Sequence, residues 1–197
     1  ELAQGGLLFA QLGEGERAYL DGKLLGSTDT GLVVFGFGRD AKPQSALKIC
    51  RQNNCREEQL SVRQRQYDIQ RVDGVPQNTV NPPPEVLDRI KREKAMVSRA
   101  RATVSDSLAF TQPFIWPLLG PVTGVFGSQR VYNGEPRRPH YGVDVAAATG
   151  TPVVAPADAV VRLAHPDMYF SGGTLIMDHG FGVNSTFIHL SEVLVKE

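Results

Sequence analysis

His140 and Asp144 are the residues of this sequence whose types and spacing are best suited to chemistry. Imidazole nitrogen and carboxylate oxygen are zinc ligands that bind at about 2 Å, so two of them sharing one ion must lie close together. Four residues of straight strand span roughly 13 Å, whereas a tight bend at the intervening Gly142 would bring the two side chains together. The spacing taken alone also fits a chance pair that binds no metal.

The segments around this pair follow a recognisable order. They read GVFGSQR at 124–130, RPHYGVDVAA at 138–147, GTPVVAP at 150–156, DHGFG at 178–182 and FIHLS at 187–191. Together they closely resemble the M23 family of zinc peptidases, the LytM/lysostaphin-type peptidoglycan endopeptidases, over about residues 114–197. Residues 1–80 carry no comparable motif.

The resemblance implies roles for individual residues. His140 and Asp144 fall on the first two zinc ligands of the family's H-x3-D motif. His189 falls on the histidine of the family's T-x-Y-x-H-L motif, which lies beside the metal-bound water and assists catalysis. The first two named positions of that motif are Ser185 and Phe187 here, which leaves His189 itself in place. The implied cofactor is therefore Zn²⁺.

Three further expectations concern residues near these motifs. Tyr132 lies near the position of a tyrosine that supports the oxyanion in some family members, so it is a candidate for oxyanion support. His179 matches a family position that is not a metal ligand, and we expect a structural role for it. If residues 184–189 form a regular strand, Phe187 and His189 share one face of it.

The end of the sequence differs from the family pattern. Family members continue beyond the His-Leu-Ser motif with a glycine-rich stretch and a late H-x-H motif, whose second histidine is the third zinc ligand. This sequence ends at Glu197, before that segment. Because catalytic zinc sites typically have three protein ligands, we expect the chain to be an incomplete or cleaved form of a longer protein.

Turn residues and short apolar runs predict a mainly β fold in three parts. Residues 1–80 are predicted to form a small β-sandwich-like accessory domain, with a hairpin that turns at Asp21-Gly22. Residues 81–112 combine a proline-rich linker with an amphipathic connecting helix, whose apolar positions run from Val86 to Leu108. Residues 113–197 are predicted to form an antiparallel β-sheet peptidase domain that lacks its C-terminal part, with strands that include 152–154.

The only two cysteines, Cys50 and Cys55, flank four polar residues between two β-like runs. Directly opposed residues of an antiparallel hairpin lie close enough for a disulfide, so we predict that these two cysteines are bonded. Two free thiols are the alternative. A disulfide favours an oxidising compartment, and we expect a periplasmic or cell-wall-associated protein whose signal peptide is not part of this chain.

Composition excludes some classes of partner. Lys plus Arg and Asp plus Glu each number 21, and this zero net charge argues against nucleic-acid binding. No run of about 18 apolar residues is present, so no transmembrane segment is predicted.

The predicted function is hydrolysis of peptide stems or cross-links of bacterial peptidoglycan by a zinc-dependent endopeptidase. The alternative is a non-catalytic LytM-like domain that binds cell wall or activates an amidase. Such domains typically lose the metal-binding residues, so the presence of His140, Asp144 and His189 favours the enzyme. Residues 1–80 are predicted to inhibit or position the catalytic groove.

Overall fold

A computed structural model describes residues 2–74 and 82–197. The chain divides into two compact units, and each unit is built from several separate segments of the sequence. Unit 1 contains residues 2–70, 125–130 and 138–142, and unit 2 contains the described residues of 71–124, 131–137 and 143–197. The domain boundaries predicted at residues 80 and 112 stay a prediction.

The N-terminal residues form short antiparallel strands, as their turns and β-branched runs predict. The strands are β1 (Leu7–Gln11), β2 (Glu16–Leu20), β3 (Lys23–Leu24), β4 (Leu32–Gly36), β5 (Gln44–Arg51), β6 (Asn54–Ser61) and β7 (Ile69–Val72). Strands β1 and β4 pair in one sheet, and a second sheet has the order β3-β2-β5-β6. Both sheets contribute to one apolar cluster that includes Val33, Phe35 and Leu47, and this cluster is the core of unit 1.

The predicted hairpin and disulfide are both confirmed in this region. Asp21 and Gly22 connect β2 to β3 with φ angles of 48° and 81°, the two positive values that a type I′ turn requires. Cys50 and Cys55 are directly opposed in the β5–β6 hairpin and form a disulfide. The sequence expectation was correct here because both features depend only on local spacing.

The later strands are shorter on average and belong to three small sheets. They are β8 (Val122–Gly124), β9 (Gln129–Tyr132), β10 (Glu135–Pro136), β11 (Asp144–Val145), β12 (Val160–Met168), β13 (Gly172–Asp178) and β14 (Asn184–Leu190). The sheet orders are β10-β9-β7, β11-β8 and β12-β13-β14. The mainly β class is confirmed. The strand predicted at 152–154 is wrong, because those residues have no ladder partner and stay outside the sheets.

Helix α1 (Leu87–Ala102) packs on the β12–β13 part of unit 2. Ala100 is buried there in an apolar cluster with Leu163 and Ile176. The prediction that the helix continues to Leu108 is wrong, because Thr103 has extended backbone and ends it. The β-branched Thr103 and Val104 disfavour another helical turn. No helix among the described residues is long and apolar enough to cross a membrane.

Candidate metal centre

His140 lies in unit 1, where both its backbone N–H and its backbone carbonyl are hydrogen-bonded to residues 127 and 128. The His140 N–H donates to the Ser128 carbonyl at 2.8 Å, and the Gly127 N–H donates to the His140 carbonyl at 2.7 Å. Residues 125–130 and 138–142 are therefore joined like two short strands. The bend predicted between His140 and Asp144 is present at Gly142, where no helix forms.

The imidazole of His140 is oriented by the same segment. Its Nδ1 lies 3.1 Å from the carbonyl oxygen of Val125. A carbonyl only accepts hydrogen bonds, so in the neutral ring Nδ1 carries the proton and Nε2 carries the lone pair. Metal-binding histidines commonly use this arrangement, in which one ring N–H bonded to a backbone oxygen fixes the tautomer. The orientation of His140 therefore fits a ligand that binds through Nε2.

Asp144 lies in unit 2 at the start of β11, where it pairs with Gly124 of β8. Its side chain is exposed and lies directly over that glycine. A Cβ atom at position 124 would overlap Oδ2 of Asp144 and lie 2.8 Å from its Cγ. The absence of a side chain at Gly124 therefore provides the space that the carboxylate occupies.

His189 lies in unit 2 near the end of β14 and is exposed. Phe187 pairs with Leu175 but Leu190 pairs with Gly173, so β14 has one extra residue between these two pairs. His189 lies in this bulge with a φ of 62°, and its N–H donates to the Ser171 carbonyl at 2.7 Å. The prediction that Phe187 and His189 share a face is wrong, since it depended on regular alternation and a bulge interrupts it.

The structure assigns these three residues to different units. His140 belongs to unit 1, and both Asp144 and His189 belong to unit 2. Within the described residues, no group of three or more histidine, cysteine, aspartate or glutamate side chains is placed to hold a metal ion. The donor chemistry of His140 and Asp144 fits zinc, which takes imidazole and carboxylate ligands.

Tyr132 lies half-buried at the end of β9, in unit 2. It pairs with Glu135 of β10, and its ring lies 5.9 Å from the guanidinium carbon of Arg137. These contacts place the ring beside a cation. Its role in oxyanion support stays a prediction.

His179 differs from the other candidates because it is completely buried. Its Nδ1 lies 2.8 Å from the Asp158 carbonyl, and its Nε2 lies 2.8 Å from the Ser185 hydroxyl. Its backbone carbonyl accepts from the Phe110 N–H at 2.9 Å. Both ring nitrogens are engaged within the protein, so the expected structural role of His179 is confirmed.

The neighbouring Asp178 is also completely buried. Burial by itself would raise its pKa, but hydrogen bonds from the Gly180 N–H and the Arg162 guanidinium oppose burial, and the net pKa lies below the usual value of 3.8. Asp178 is therefore an ionised anchor for the turn that carries His179.

Comparison with known proteins finds a family match in the C-terminal part of the chain. Residues 138–197 match the model of peptidase family M23. An uncharacterized metalloprotease of Haemophilus influenzae is 41% identical over 59 residues, which are 30% of this chain and 12% of that protein. The peptidoglycan DD-endopeptidase ShyA of Vibrio cholerae is 36% identical over 76 residues, which cover 33% of this chain and 17% of that protein.

The similarity is confined to a short stretch of each relative, less than a fifth of its length. Residues 138–197, which match the family model, nevertheless contain His140, Asp144 and His189, the residues that the motifs singled out. The resemblance to peptidase family M23 that the motifs indicate is therefore confirmed over residues 138–197.

Proposed function

We propose that this chain is part of a zinc-dependent endopeptidase that hydrolyses peptide stems or cross-links of bacterial peptidoglycan. The observation that carries the proposal is the family match over residues 138–197, which includes the complete H-x3-D pair. One relative is named as a metalloprotease and another as a peptidoglycan DD-endopeptidase, which supports both the metal and the substrate class.

His140 and Asp144 would hold the metal, the first through Nε2 and the second through its carboxylate. When bound, zinc supplies Lewis-acid polarisation of the scissile carbonyl and a lowered pKa for water. His189 would accept a proton at its imidazole from the attacking water, or stabilise the developing oxyanion. Tyr132 would donate its hydroxyl proton toward the same oxyanion.

The proposed location is the periplasm or cell wall, where peptidoglycan lies. The Cys50–Cys55 disulfide supports this location, since disulfides persist in oxidising compartments and are rare in the cytosol. The peptidoglycan substrate of a relative points the same way.

The test is zinc titration of the full protein in the form that its own cell produces, together with hydrolysis of purified peptidoglycan. His140→Ala should abolish zinc binding and lower hydrolysis at least about a thousandfold, because both the ligand and the chemistry of the metal are lost. His189→Ala should retain zinc but lower hydrolysis by about 10²–10⁴-fold, the range for loss of a general acid–base group.

His165→Ala is the matched control. His165 is half-buried and its Nδ1 accepts from the Asp167 N–H at 3.1 Å, outside the family motifs. This variant should bind zinc and hydrolyse peptidoglycan like the unchanged protein. Full activity in His140→Ala would overturn the proposal, and zinc binding or wall binding without hydrolysis would support the non-catalytic LytM-like alternative.

A further inference from the structure

The segment that holds His140 is itself held by residues from the N-terminal region of unit 1. Gly127, which donates to the His140 carbonyl, uses its own carbonyl to accept from Nε of Arg39 at 2.8 Å. A second nitrogen of Arg39, Nη2, donates to the side-chain oxygen of Gln129 at 3.3 Å. Arg39 and Gly127 are 88 positions apart in the sequence.

The side chain of Arg39 is largely buried rather than extended into solvent. Only 9% of its side chain is exposed. Its guanidinium carbon lies 4.5 Å from the centre of the Tyr67 ring, and Nη1 donates to Asp40 at 2.6 Å. The charge is therefore satisfied by a carboxylate, a ring face and two oxygens of the 127–129 segment, and the planar guanidinium fixes their relative positions.

Tyr67 and Asp68 complete the contact with this segment. A Cβ atom at Gly127 would lie 2.9 Å from Cγ of Tyr67, so the ring packs directly on the glycine backbone. Gly127 has a φ of +89°, which glycine adopts without strain. The Asp68 carbonyl accepts from the Gln129 N–H at 2.9 Å. Side chain, ring and backbone of residues 39–68 thus fix the segment that orients His140.

We propose that Arg39 is a positioning residue for His140, so that the N-terminal region sets the position of the first zinc ligand; this inference rests on the proposed function. Arg39 acts through Gly127, because that residue bonds Arg39 with its carbonyl and His140 with its N–H. Hydrogen bonds from a charged donor are stronger than neutral ones, and this donor is shielded from water. Loss of the guanidinium would leave the segment free to shift and carry the imidazole with it.

The same contacts would stabilise unit 1 without any effect on His140, so the test must separate positioning from stability. Zinc titration measures the ligand set, and ¹H–¹⁵N spectra of the histidine rings in metal-free protein report the tautomer of His140. A merely structural role would lower the melting temperature and leave the affinity and the tautomer of the folded protein unchanged.

The variants are Arg39→Met and Arg39→Lys, made in the natively produced protein. Met removes every donor, and we expect about tenfold weaker zinc binding, the lower end of the range for groups that support a metal ligand. The Nδ1–H tautomer of His140 should give way to a mixture of tautomers. Lys keeps the charge but has no planar fork of donors, so its zinc affinity should fall between those of the other two proteins.

Arg56→Met is the matched control. Arg56 lies in the same unit and pairs with Glu16, but its side chain is 66% exposed and the pair lies on the β2–β5–β6 sheet. This control should keep both the zinc affinity and the His140 tautomer of the unchanged protein.

The outcomes separate the two proposals. Folded Arg39→Met protein with unchanged zinc affinity and tautomer would overturn the positioning role, and if that variant does not fold, unchanged values in Arg39→Lys would do so. His140→Ala is titrated in parallel, because zinc binding that survives in that variant overturns the proposed metal site, whatever Arg39 does.

Discussion

Two histidines of the chain, His140 and His179, resemble each other in one ring nitrogen and differ in the rest of their surroundings. Each has Nδ1 within hydrogen-bond distance of a backbone carbonyl, at 3.1 Å in His140 and 2.8 Å in His179. His179 is completely buried and its Nε2 lies against the Ser185 hydroxyl, whereas His140 is half-buried beside a bend. The ring of His179 therefore has both nitrogens committed to holding the fold.

Both histidines lie in residues 138–197, the segment that matches the family model, so this one segment contains a proposed zinc ligand and a histidine that stabilises the fold. Around His179, side chains and backbone fit tightly and every change should cost folding free energy. The side chain of Asp144, in contrast, is exposed and lies on Gly124. A substitution at Gly124 should therefore move the Asp144 carboxylate and weaken the proposed zinc binding rather than destabilise the fold.

Gly180→Ala should have the largest effect on stability. Gly180 has a φ of +99°, and a Cβ atom there would overlap the Ser107 carbonyl oxygen and lie 2.6 Å from its carbon. Backbone atoms cannot rotate away as the end of a flexible side chain can. We expect a loss of about 4 kcal/mol in the free energy of unfolding, at the upper end for one substitution. Urea unfolding of both proteins measures it.

Gly182→Ala is the control for backbone conformation in the same turn. Gly182 has a φ of +81°, but nothing lies within 4 Å of its added Cβ. This variant has the backbone strain without the overlap and should lose only about 1 kcal/mol. Equal losses in the two variants would contradict the claim that tight packing distinguishes the His179 turn.

Asp178→Asn should lower the free energy of unfolding by about 3 kcal/mol, since it leaves a guanidinium without its carboxylate partner. Arg162 donates to the carboxylate at 3.0 Å and is 27% exposed, which places the loss at the low end for such pairs. Asp167→Asn is the control: Asp167 pairs with Arg89 but is 76% exposed, and its loss should be below about 1 kcal/mol. A similar loss of unfolding free energy in both variants would contradict the claim that burial makes the Asp178–Arg162 pair more stabilising than the exposed one.

Local features of this fold could be predicted from the sequence. The Asp21-Gly22 turn requires two positive φ angles, and asparagine, aspartate and glycine are the residues that adopt them readily. The Cys50–Cys55 disulfide follows from four residues between two β-like runs. The family motifs indicated His140 and Asp144 as candidate zinc ligands, and Gly142 indicated the bend between them.

Features that depend on distant contacts could not be predicted. The contact of Arg39 with Gly127 joins residues 88 positions apart, and nothing in the local sequence of Arg39 indicates it. The bulge at His189 depends on its pairing with the neighbouring strand, which a single strand's alternation does not contain. Periodicity also predicted too long a helix, because Val104 and Leu108 keep helical spacing but are exposed rather than packed.

Gly124→Ala should change metal affinity more than stability. The overlap with Oδ2 of Asp144 can be relieved by rotation of that exposed side chain, which moves the carboxylate from its present position. We expect about tenfold weaker zinc binding, equal to about 1.4 kcal/mol, with a smaller loss in unfolding free energy. Zinc titration and urea unfolding of the same preparation measure the two quantities.

Gly38→Ala is the control for that substitution, because nothing lies within 4 Å of a Cβ atom at Gly38 and its φ is not positive. It should leave zinc affinity unchanged. If Gly124→Ala also binds zinc normally, the position of the Asp144 carboxylate does not depend on this glycine.

The smallest expected effect concerns acid pH. The folded-state pKa of Asp178 lies below its usual value of 3.8, because hydrogen bonds from Gly180 and Arg162 outweigh burial. A carboxylate whose pKa is lower in the folded than in the unfolded chain contributes its full stability above the unfolded pKa, and that contribution is lost as the pH falls through the folded pKa. The difference in melting temperature between the unchanged protein and Asp178→Asn should therefore be constant from about pH 7 to 5 and narrow below about pH 4. A difference that stays constant down to about pH 2.5 would mean that the charge of Asp178 does not stabilise the His179 turn.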